Sequence, residues 1–229
     1  MLLIAVASVL LAGLSLPGIA VAQGGTAAGA DVAARVTEAR KANAALMRQY
    51  SWTSRMEIFA QGQVKDIRLD AVSYGPSGQL QRTIMNDQSA SLPRGFLRRR
   101  IADDERKRME EYLVGLRDML DQYTLSTTGK VQEFLGHAKA TGPDAAGLYE
   151  LTGQNVLYQG DTLSLWVDPL TRHVRRIQVS ATFQGDPVNL SATFKTLPSG
   201  LNHVAYAELT VPAKQITVQV QNFDYSRNN

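Results

Sequence analysis

The sequence predicts an α+β fold in which one large curved antiparallel β-sheet, a half-barrel of about ten strands, wraps around two or three helices. Apolar residues recur at helical spacing in two or three stretches, and in about ten others apolar and polar residues alternate with a period of two. Short turn sequences rich in Gly, Pro and Asp separate most of the predicted strands, and sequential strands joined by short turns pair antiparallel.

The N-terminal part is predicted to form one helix and a three-stranded meander. From Asp31, which can cap a helix, apolar residues recur at three- and four-residue steps as far as Tyr50. The period then changes to two, and the turn sequences Gln61-Gly62 and Gly75-Pro76-Ser77-Gly78 divide the segment. The predicted strands are residues 51–59, 64–74 and 78–85.

The middle of the chain is predicted to be a loop and two helices. Residues 86–100 form the loop, which ends in a basic cluster. A helix follows it, with Asp103 or Asp104 as cap and an apolar stripe that runs from Met109 through Leu113 to Tyr123. A third helix is predicted at 131–140, between Gly129 and Gly142-Pro143.

The C-terminal half is predicted to consist of strands alone, at residues 148–151, 156–158, 162–167, 173–183, 188–195, 203–211 and 215–225. Alternation is clear in several of them, which predicts a sheet with one apolar and one polar face. In the last strand Phe223 and Tyr225 are out of phase with Ile216 and Val218. A bulge near Asn222, or a strand buried on both sides, would explain the change.

Residues 1–22 are predicted to be a cleavable signal peptide, followed by a loose N-terminus at 23–30 and a single domain at 31–229. The first stretch holds no charged side chain, and its apolar core of about fifteen residues is short for a membrane span. Ala20-Val21-Ala22 matches the site that signal peptidases cut, so cleavage is expected after Ala22. This predicts export to the periplasm, with a retained membrane anchor as the alternative.

The composition excludes several kinds of site. The chain has no cysteine, which removes disulfides, thiolate nucleophiles and cysteine-ligated metals. A net charge of +3 is too small to indicate a nucleic-acid partner. His137, His173 and His203 match no helical metal motif, and we expect His173 and His203 to be surface residues rather than general bases. No serine-nucleophile motif occurs, so we expect no enzyme, cofactor or metal site.

The strongest local charge lies in a stretch that we call the basic segment, residues 94–108. It contains seven basic and three acidic residues. The residues expected to touch an anionic membrane surface or an acidic envelope protein are Arg94, Phe96, Leu97, Arg98, Arg99 and Arg100. The alternative is a solvated loop whose arginines pair with acidic residues of the next helix.

Large apolar residues on the inner sheet face and the central helix are candidates for a ligand cavity. Met and aromatic side chains suit an adaptable cavity, although such residues also form ordinary cores. The candidate lining residues are Trp166, Ile177, Val179, Phe183, Leu190, Phe194, Met109 and Leu113.

The order of elements and one local motif resemble a known family. Leu165-Trp166-Val167-Asp168-Pro169-Leu170-Thr171, followed by Val174-Arg175-Arg176-Ile177, resembles the W-x-D-P-x-T strand, turn and strand of lipoprotein-carrier-like (LolA/LolB-like) half-barrels of bacterial envelopes. The chain is also similar to exported bacterial proteins in three segments, Leu197-Pro198-Ser199-Gly200, Val211-Pro212-Ala213-Lys214 and Asn222-Phe223-Asp224-Tyr225. The resemblance implies an apolar cavity between sheet and helices that holds acyl chains.

The sequence thus predicts an exported protein that binds a lipid or other hydrophobic ligand non-covalently. One alternative is an envelope interaction module with a filled core, acting through the basic segment. A second is a hydrolase whose carboxylates converge from the turns at Asp161, Asp168, Asp186 and Asp224. An open apolar pocket favours the first, a packed core the second, and clustered buried carboxylates the third.

Overall fold

Ten strands form one open antiparallel sheet. The computed structural model describes residues 26–87 and 96–228, of which residues 26–33, 35, 87 and 96–106 are described as backbone alone. Within these residues the helices are α1 (Thr26–Met47), α2 (Phe96–Asp121) and α3 (Thr128–His137). The strands are β1 (Tyr50–Ala60), β2 (Gln63–Tyr74), β3 (Leu80–Asp87), β4 (Lys139–Thr141), β5 (Tyr149–Gln154), β6 (Thr162–Val167), β7 (Val174–Phe183), β8 (Asp186–Thr196), β9 (Asn202–Val211) and β10 (Ile216–Arg227). The predicted α+β half-barrel fold is confirmed.

The strand order is β3-β2-β1-β10-β9-β8-β7-β6-β5-β4, so the two edge strands are β3 and β4. Their connection contains α2, a 3-10 turn at Gln122–Thr124, and α3. Because that connection joins opposite edges of the sheet, its helices must cross the sheet. Strand β10 returns to pair with β1, which joins the N-terminal meander to the C-terminal strands.

Two hairpins have the two-residue turns that match the natural twist of a β-ribbon. Gln61 and Gly62 both have positive φ, as do Gln184 and Gly185. This is the backbone that a type I′ turn requires, and Gly supplies it without steric cost. The first turn is the predicted one. In the second, Asp186 already belongs to β8, where it pairs with Phe183.

The predicted bulge in the last strand is confirmed. The pairing of β1 with β10 shifts between Ser51, which faces Ser226, and Thr53, which faces Phe223. Asp224 in the shifted stretch has a φ of 54°. Asn222 is buried and continues the alternation of the residues before it in β10. After Asn222 the alternation of buried and exposed residues shifts by one position.

Four local expectations differ from the structure. Helix α1 begins at Thr26 rather than Asp31, and α2 begins at Phe96, inside the predicted loop. Strand β4 was not predicted, because three exposed residues carry no alternation signal. Residues 156–158, predicted as a strand, form part of a loop. Their backbone N–H groups bind a carboxylate instead of a neighbouring strand, as shown below.

The buried residues form two apolar clusters. The larger one lies between α2, α3 and the concave face of the sheet, with Leu116, Leu163, Val174 and Ala192 fully inaccessible to solvent. The smaller one lies at the C-terminal end of α1. Its buried members are Met47, Tyr50, Trp52, Val72 and Leu201.

Two reciprocal hydrogen bonds hold α1 to the sheet. The Asn43 side-chain amide donates to the Asn202 carbonyl oxygen at 2.9 Å, and the Asn202 backbone N–H donates to Asn43 Oδ1 at 2.9 Å. Both residues are buried, so the pair satisfies polar groups that would otherwise be costly to bury.

Replacing Phe194 tests whether the concave face is a packed core. Phe194 is 6% exposed and belongs to the larger cluster. Phe194→Ala should therefore lower the free energy of unfolding by about 3–5 kcal/mol, through lost burial and a residual cavity. Urea denaturation of this variant and of the exposed control Leu170→Ala measures the effect. A loss below about 1 kcal/mol would instead indicate that Phe194 borders open space.

Candidate functional site

Most of the candidate lining residues on the concave face are buried against other side chains. Five candidate lining residues are buried members of the larger cluster: Ile177, Val179, Leu190, Phe194 and Leu113. Phe183 packs against the edge of that cluster. Helix α2 supplies the opposing side chains, among them Leu116 and Leu120. The centre of the half-barrel is therefore a core.

A polar contact fastens the middle of α2 to the sheet. The Tyr112 hydroxyl donates to Asp186 Oδ2 at 3.1 Å, and Lys214 Nζ lies 3.1 Å from the same oxygen. Lys214 Nζ also lies 4.8 Å from the centroid of the Tyr112 ring. Burial and the hydrogen bond to Asp186 raise the pKa of Tyr112 to about 12, so the phenol remains a donor.

Helix α2 comes close to the sheet at Gly115. A Cβ at this position would lie 2.8 Å from Phe183 Cζ, and the Phe183 ring also meets the Tyr112 ring edge-on at 5.2 Å. Glycine is needed here for close approach rather than for an unusual backbone angle. The contact brings α2 directly against this end of β7.

Two candidate residues lie away from the concave face. Trp166 pairs across the sheet with Arg176, whose guanidinium carbon lies 4.5 Å from the centroid of the Trp166 ring. Its neighbours Leu165 and Val167 point into the core, so Trp166 lies on the outer face of β6. Met109 lies on α2 and is 36% exposed.

The basic segment lies mostly outside the described side chains. Arg94 is outside the described residues, and residues 96–106 are described as backbone at the start of α2. Phe96, Leu97, Arg98, Arg99 and Arg100, predicted in a loop, are therefore helical. Lys107 and Arg108 are exposed.

A cavity of about 290 Å³ lies between α3 and the end of β5. We call it the α3 pocket. Its lining residues are Leu125, Lys130, Glu133, Phe134, His137, Gly153, Gln154, Asn155, Val156 and Leu157. The apolar members are part of the larger cluster or pack against it, whereas Lys130, Glu133 and His137 come from α3. The pocket is thus an apolar extension of the core with charged groups in its lining.

Gly153 lets side chains of the pocket wall pack closely against β5. A Cβ at this position of β5 would lie 2.8 Å from Phe134 Cε2 and 3.1 Å from Val156 Cγ2. Phe134 is 3% exposed and projects from α3. The missing side chain at Gly153 lets the ring of Phe134 rest directly on the strand.

One wall of the pocket depends on Asp161, which is 2% exposed. Asp161 Oδ1 accepts the backbone N–H of Val156 at 2.6 Å, and Oδ2 accepts those of Leu157 and Tyr158, both at 2.9 Å. The Tyr123 hydroxyl donates to Oδ2 at 2.6 Å, and burial and this bond raise the pKa of Tyr123. These bonds hold residues 155–161 as a loop.

The four carboxylates of the predicted hydrolase do not form one site. Asp161 binds its own loop, and Asp168 at the other end of β6 binds Arg175 at 3.0 Å. Asp186 binds Tyr112, and Asp224 is exposed. In the described part of the chain, no group of three or more His, Cys, Asp or Glu residues is arranged to hold a metal.

His203 is buried, contrary to expectation. It is 4% exposed, and its ring lies 4.0 Å from the ring of Tyr225. The expectation failed because His203 was assigned from its place at the start of a strand, whereas the bulge in β10 brings Tyr225 onto it. His173 is half-buried, with Nδ1 3.0 Å from the Thr196 hydroxyl.

Solved structures similar to this chain are distant in sequence. A DUF1329 family protein from Desulfovibrio piger is 12% identical, with a TM-score of 0.41 and coverage of 88% of this chain and 92% of that one. A LolA superfamily protein from Nitrosomonas europaea is 12% identical, with a TM-score of 0.36 and coverage of 84% and 94%. An outer membrane lipoprotein-sorting protein domain from Vibrio parahaemolyticus is 9% identical, with a TM-score of 0.42 and coverage of 89% and 93%. No family model and no curated protein matches the chain.

Replacing Asp161 by Asn tests the wall of the α3 pocket. The Asn side chain would replace one carboxylate oxygen by an NH₂ group. This group cannot accept the N–H or O–H bonds that Asp161 now accepts. Asp161→Asn should lower the free energy of unfolding by about 2–3 kcal/mol. Amide hydrogen exchange at residues 156–158 should also become faster.

The matched control is Asp144→Asn. Asp144 lies in an exposed turn, where its Oδ1 accepts the backbone N–H groups of Ala146 and Leu148. It should cost less than about 1 kcal/mol. Equal, small losses in the two variants would contradict the structural role of Asp161.

Proposed function

We propose that the protein binds one apolar chain of a lipid, or another hydrophobic molecule, non-covalently in the α3 pocket. The observation that carries the proposal is the continuity of the pocket's apolar walls with the main core. Leu125 and Phe134 are buried core members, and Val156 and Leu157 pack against them while lining the cavity. An apolar ligand in the pocket would therefore extend the buried core.

The size of the pocket limits the ligand. Ligand pockets usually measure about 300–1,000 Å³, and this one, at about 290 Å³, is at the lower end. It suits a single chain or a small apolar molecule rather than several acyl chains. Burial contributes about 0.8 kcal/mol per CH₂ group, so a few methylenes give measurable affinity.

The polar side chains of α3 give the pocket a polar side. Lys130 is half-buried, whereas Glu133 and His137 are exposed, and all three line the cavity. An amphipathic ligand would place its apolar end against Phe134 and its polar end near these groups. Release of the ligand would follow from docking to a partner that displaces α3 or the 155–161 loop.

The proposal includes export to the periplasm. Residues 1–22, with the predicted cleavage site after Ala22, lie outside the described residues. The helices that the structure describes include none with the length and apolar character needed to cross a membrane. A hydrophobic ligand in the envelope would need a protein site of this kind to move through water.

Placing a charge in the pocket tests the proposal. Leu157→Glu should weaken binding of a dansyl-labelled fatty acid by at least about tenfold, because the probe would have to bury a carboxylate or leave the pocket. The measurement is a fluorescence titration, with circular dichroism to check folding.

Leu170→Glu is the matched control, because Leu170 is 91% exposed on the β6–β7 turn. It should bind the probe as the unaltered protein does. Failure of the unaltered protein to bind the probe, or equal affinities of all three proteins, would contradict the proposal.

An interaction module is the second candidate function. The packed concave face favours it, since helix α2 occupies the space that several acyl chains would need. In this case the basic segment would bind an anionic membrane surface or an acidic envelope protein, with Phe96 and Leu97 among its arginines.

Neutralising three arginines tests this second candidate. Basic side chains near an anionic membrane contribute about 1 kcal/mol each, so changing Arg98, Arg99 and Arg100 to Ser should weaken vesicle binding about 100-fold at low salt. Cosedimentation with anionic vesicles measures the loss, and added salt should weaken binding by the unaltered protein.

The control changes Arg55, Arg172 and Arg227 to Ser, since these arginines are exposed and elsewhere on the chain. It alters net charge equally but should have little effect. Equal binding of the unaltered protein to neutral and anionic vesicles would exclude an anionic membrane surface as the target of the basic segment.

A further inference from the structure

Four buried polar atoms lack a hydrogen-bond partner in the described part of the chain. They are Trp52 Nε1, Ser54 Oγ, Arg82 Nε and Tyr225 Oη. Nearly all buried polar groups in folded proteins have a partner, so each exception requires an explanation. We call these four residues the donor patch.

The register of the sheet brings three of them to one part of the concave face. Trp52 on β1 is opposite Val72 on β2, which is opposite Arg82 on β3. Ser54 is two residues along β1 from Trp52 and opposite Asp70. Residues two apart on a strand share a face, and this is the face that carries buried residues farther along β1. The patch lies at the β3 edge, away from the α3 pocket beside β5.

Tyr225 joins the patch through its ring. It stacks on Trp52 with 5.5 Å between ring centroids and an interplanar angle of 11°. Burial raises the pKa of Tyr225, so its hydroxyl keeps its proton and is available as a donor. Tyr74 meets Trp52 from another side at 6.0 Å, which gives the patch an aromatic wall.

Two buried guanidinium groups lie beside the patch. Arg68 Nε lies 2.7 Å from Asp70 Oδ1, and Arg82 Nη1 lies 3.5 Å from Asp70 Oδ2. The three side chains are 10%, 9% and 5% exposed in the order Arg68, Arg82, Asp70. Burial lowers the pKa of Arg82, and Asp70 is the one carboxylate that opposes this. Among the described side chains, both buried guanidinium groups therefore contact the same carboxylate.

The chemistry of the unpartnered atoms indicates what would complete the patch. Arg Nε–H and Trp Nε1–H are donors only, and the Ser and Tyr hydroxyls can both donate. A buried water would accept some of these bonds, but it carries no charge, and hydrogen bonds from a guanidinium group to an ionised acceptor are stronger. An anion with several acceptor oxygens supplies both the bonds and the charge.

We propose that the donor patch binds a carboxylate or phosphate group, either free in solution or at the head of an amphipathic molecule. Arg82 and Ser54 hold the oxygens, while Trp52 donates one bond and, with Tyr225, forms the aromatic wall. This site is separate from the α3 pocket and does not depend on its function.

The two tryptophans of the chain give a direct readout. Trp166→Phe leaves Trp52, which lies in the patch, as the single tryptophan of the chain. Titration of this protein with inorganic phosphate, acetate and dodecyl phosphate should give a saturable change in Trp52 emission with at least one of them. The melting temperature should rise with the same anion, because ligands stabilise the state that binds them.

Arg82→Gln in the Trp166→Phe background should weaken that binding at least about tenfold, since a charge-assisted bond is lost. The matched control is Arg176→Gln, which removes a guanidinium from the outer face and should leave binding unchanged. Ser54→Ala is a smaller change and should weaken binding several-fold. It replaces Arg82→Gln as the test variant if Arg82→Gln does not fold.

Each outcome decides the proposal. A saturable Trp52 response to phosphate or acetate supports a site for a free anion. A Trp52 response to dodecyl phosphate alone supports a site for an amphiphile's head group if Arg82→Gln weakens it, and overturns the proposal if Arg82→Gln leaves it unchanged, because the same molecule also suits the α3 pocket. Absence of a saturable response to all three anions would overturn the proposal, as would equal responses in Ser54→Ala and the unaltered protein. Neither result alters the fatty-acid binding expected at the α3 pocket.

Discussion

Burial of the concave sheet face beneath α2 is the constraint on which the remaining structure depends. An open sheet with an apolar face is stable in water only if another layer covers that face. Helix α2 does so, held by Tyr112, Asp186 and Lys214 and brought close by Gly115. The same contacts cover the middle of the half-barrel. Space remains where α2 ends and the chain turns into α3, which is where the α3 pocket lies.

The sheet changes character between its two sides. Strands β5 to β10 bury mainly apolar side chains, whereas β1 and β2 also bury Ser54 and the charged residues Arg68 and Asp70. Burying an ion pair costs desolvation that its Coulomb attraction only partly offsets, and apolar residues of similar volume would often be as stable. Stability alone therefore does not account for these residues at the β3 edge, and a binding role does.

Much of the fold follows from patterns that act locally. Alternation identified nearly every strand, because one face of each is buried and the other is not. The same alternation places Trp166 on the outer face, in phase with Ser164. Trp166 was a cavity candidate because of its size, which says nothing about the face on which it lies. The loop at residues 156–158 was missed because it depends on Asp161 and on Tyr123, which is distant in sequence. The donor patch was missed because its residues meet only once β1, β2 and β3 are in register. The sequence did contain one signal: Arg68 and Asp70 alternate in phase with the apolar Val72, which places them on the buried face of β2.

The buried charges of the two regions differ in how completely they are satisfied. Asp161 accepts three backbone N–H groups and a phenol, so its bonds are filled within the fold and its role is to hold a loop. Arg82 shares one carboxylate with Arg68, and its Nε–H has no acceptor among the described residues. A saturated buried charge can gain little from a ligand, since every new bond would replace an existing one. An unsaturated buried charge has already lost its water, so an arriving anion gains the bond without a further desolvation cost on the protein side. Incomplete satisfaction, rather than burial or charge alone, is thus the physical property that distinguishes Arg82 as a binding group from Asp161 as a structural one.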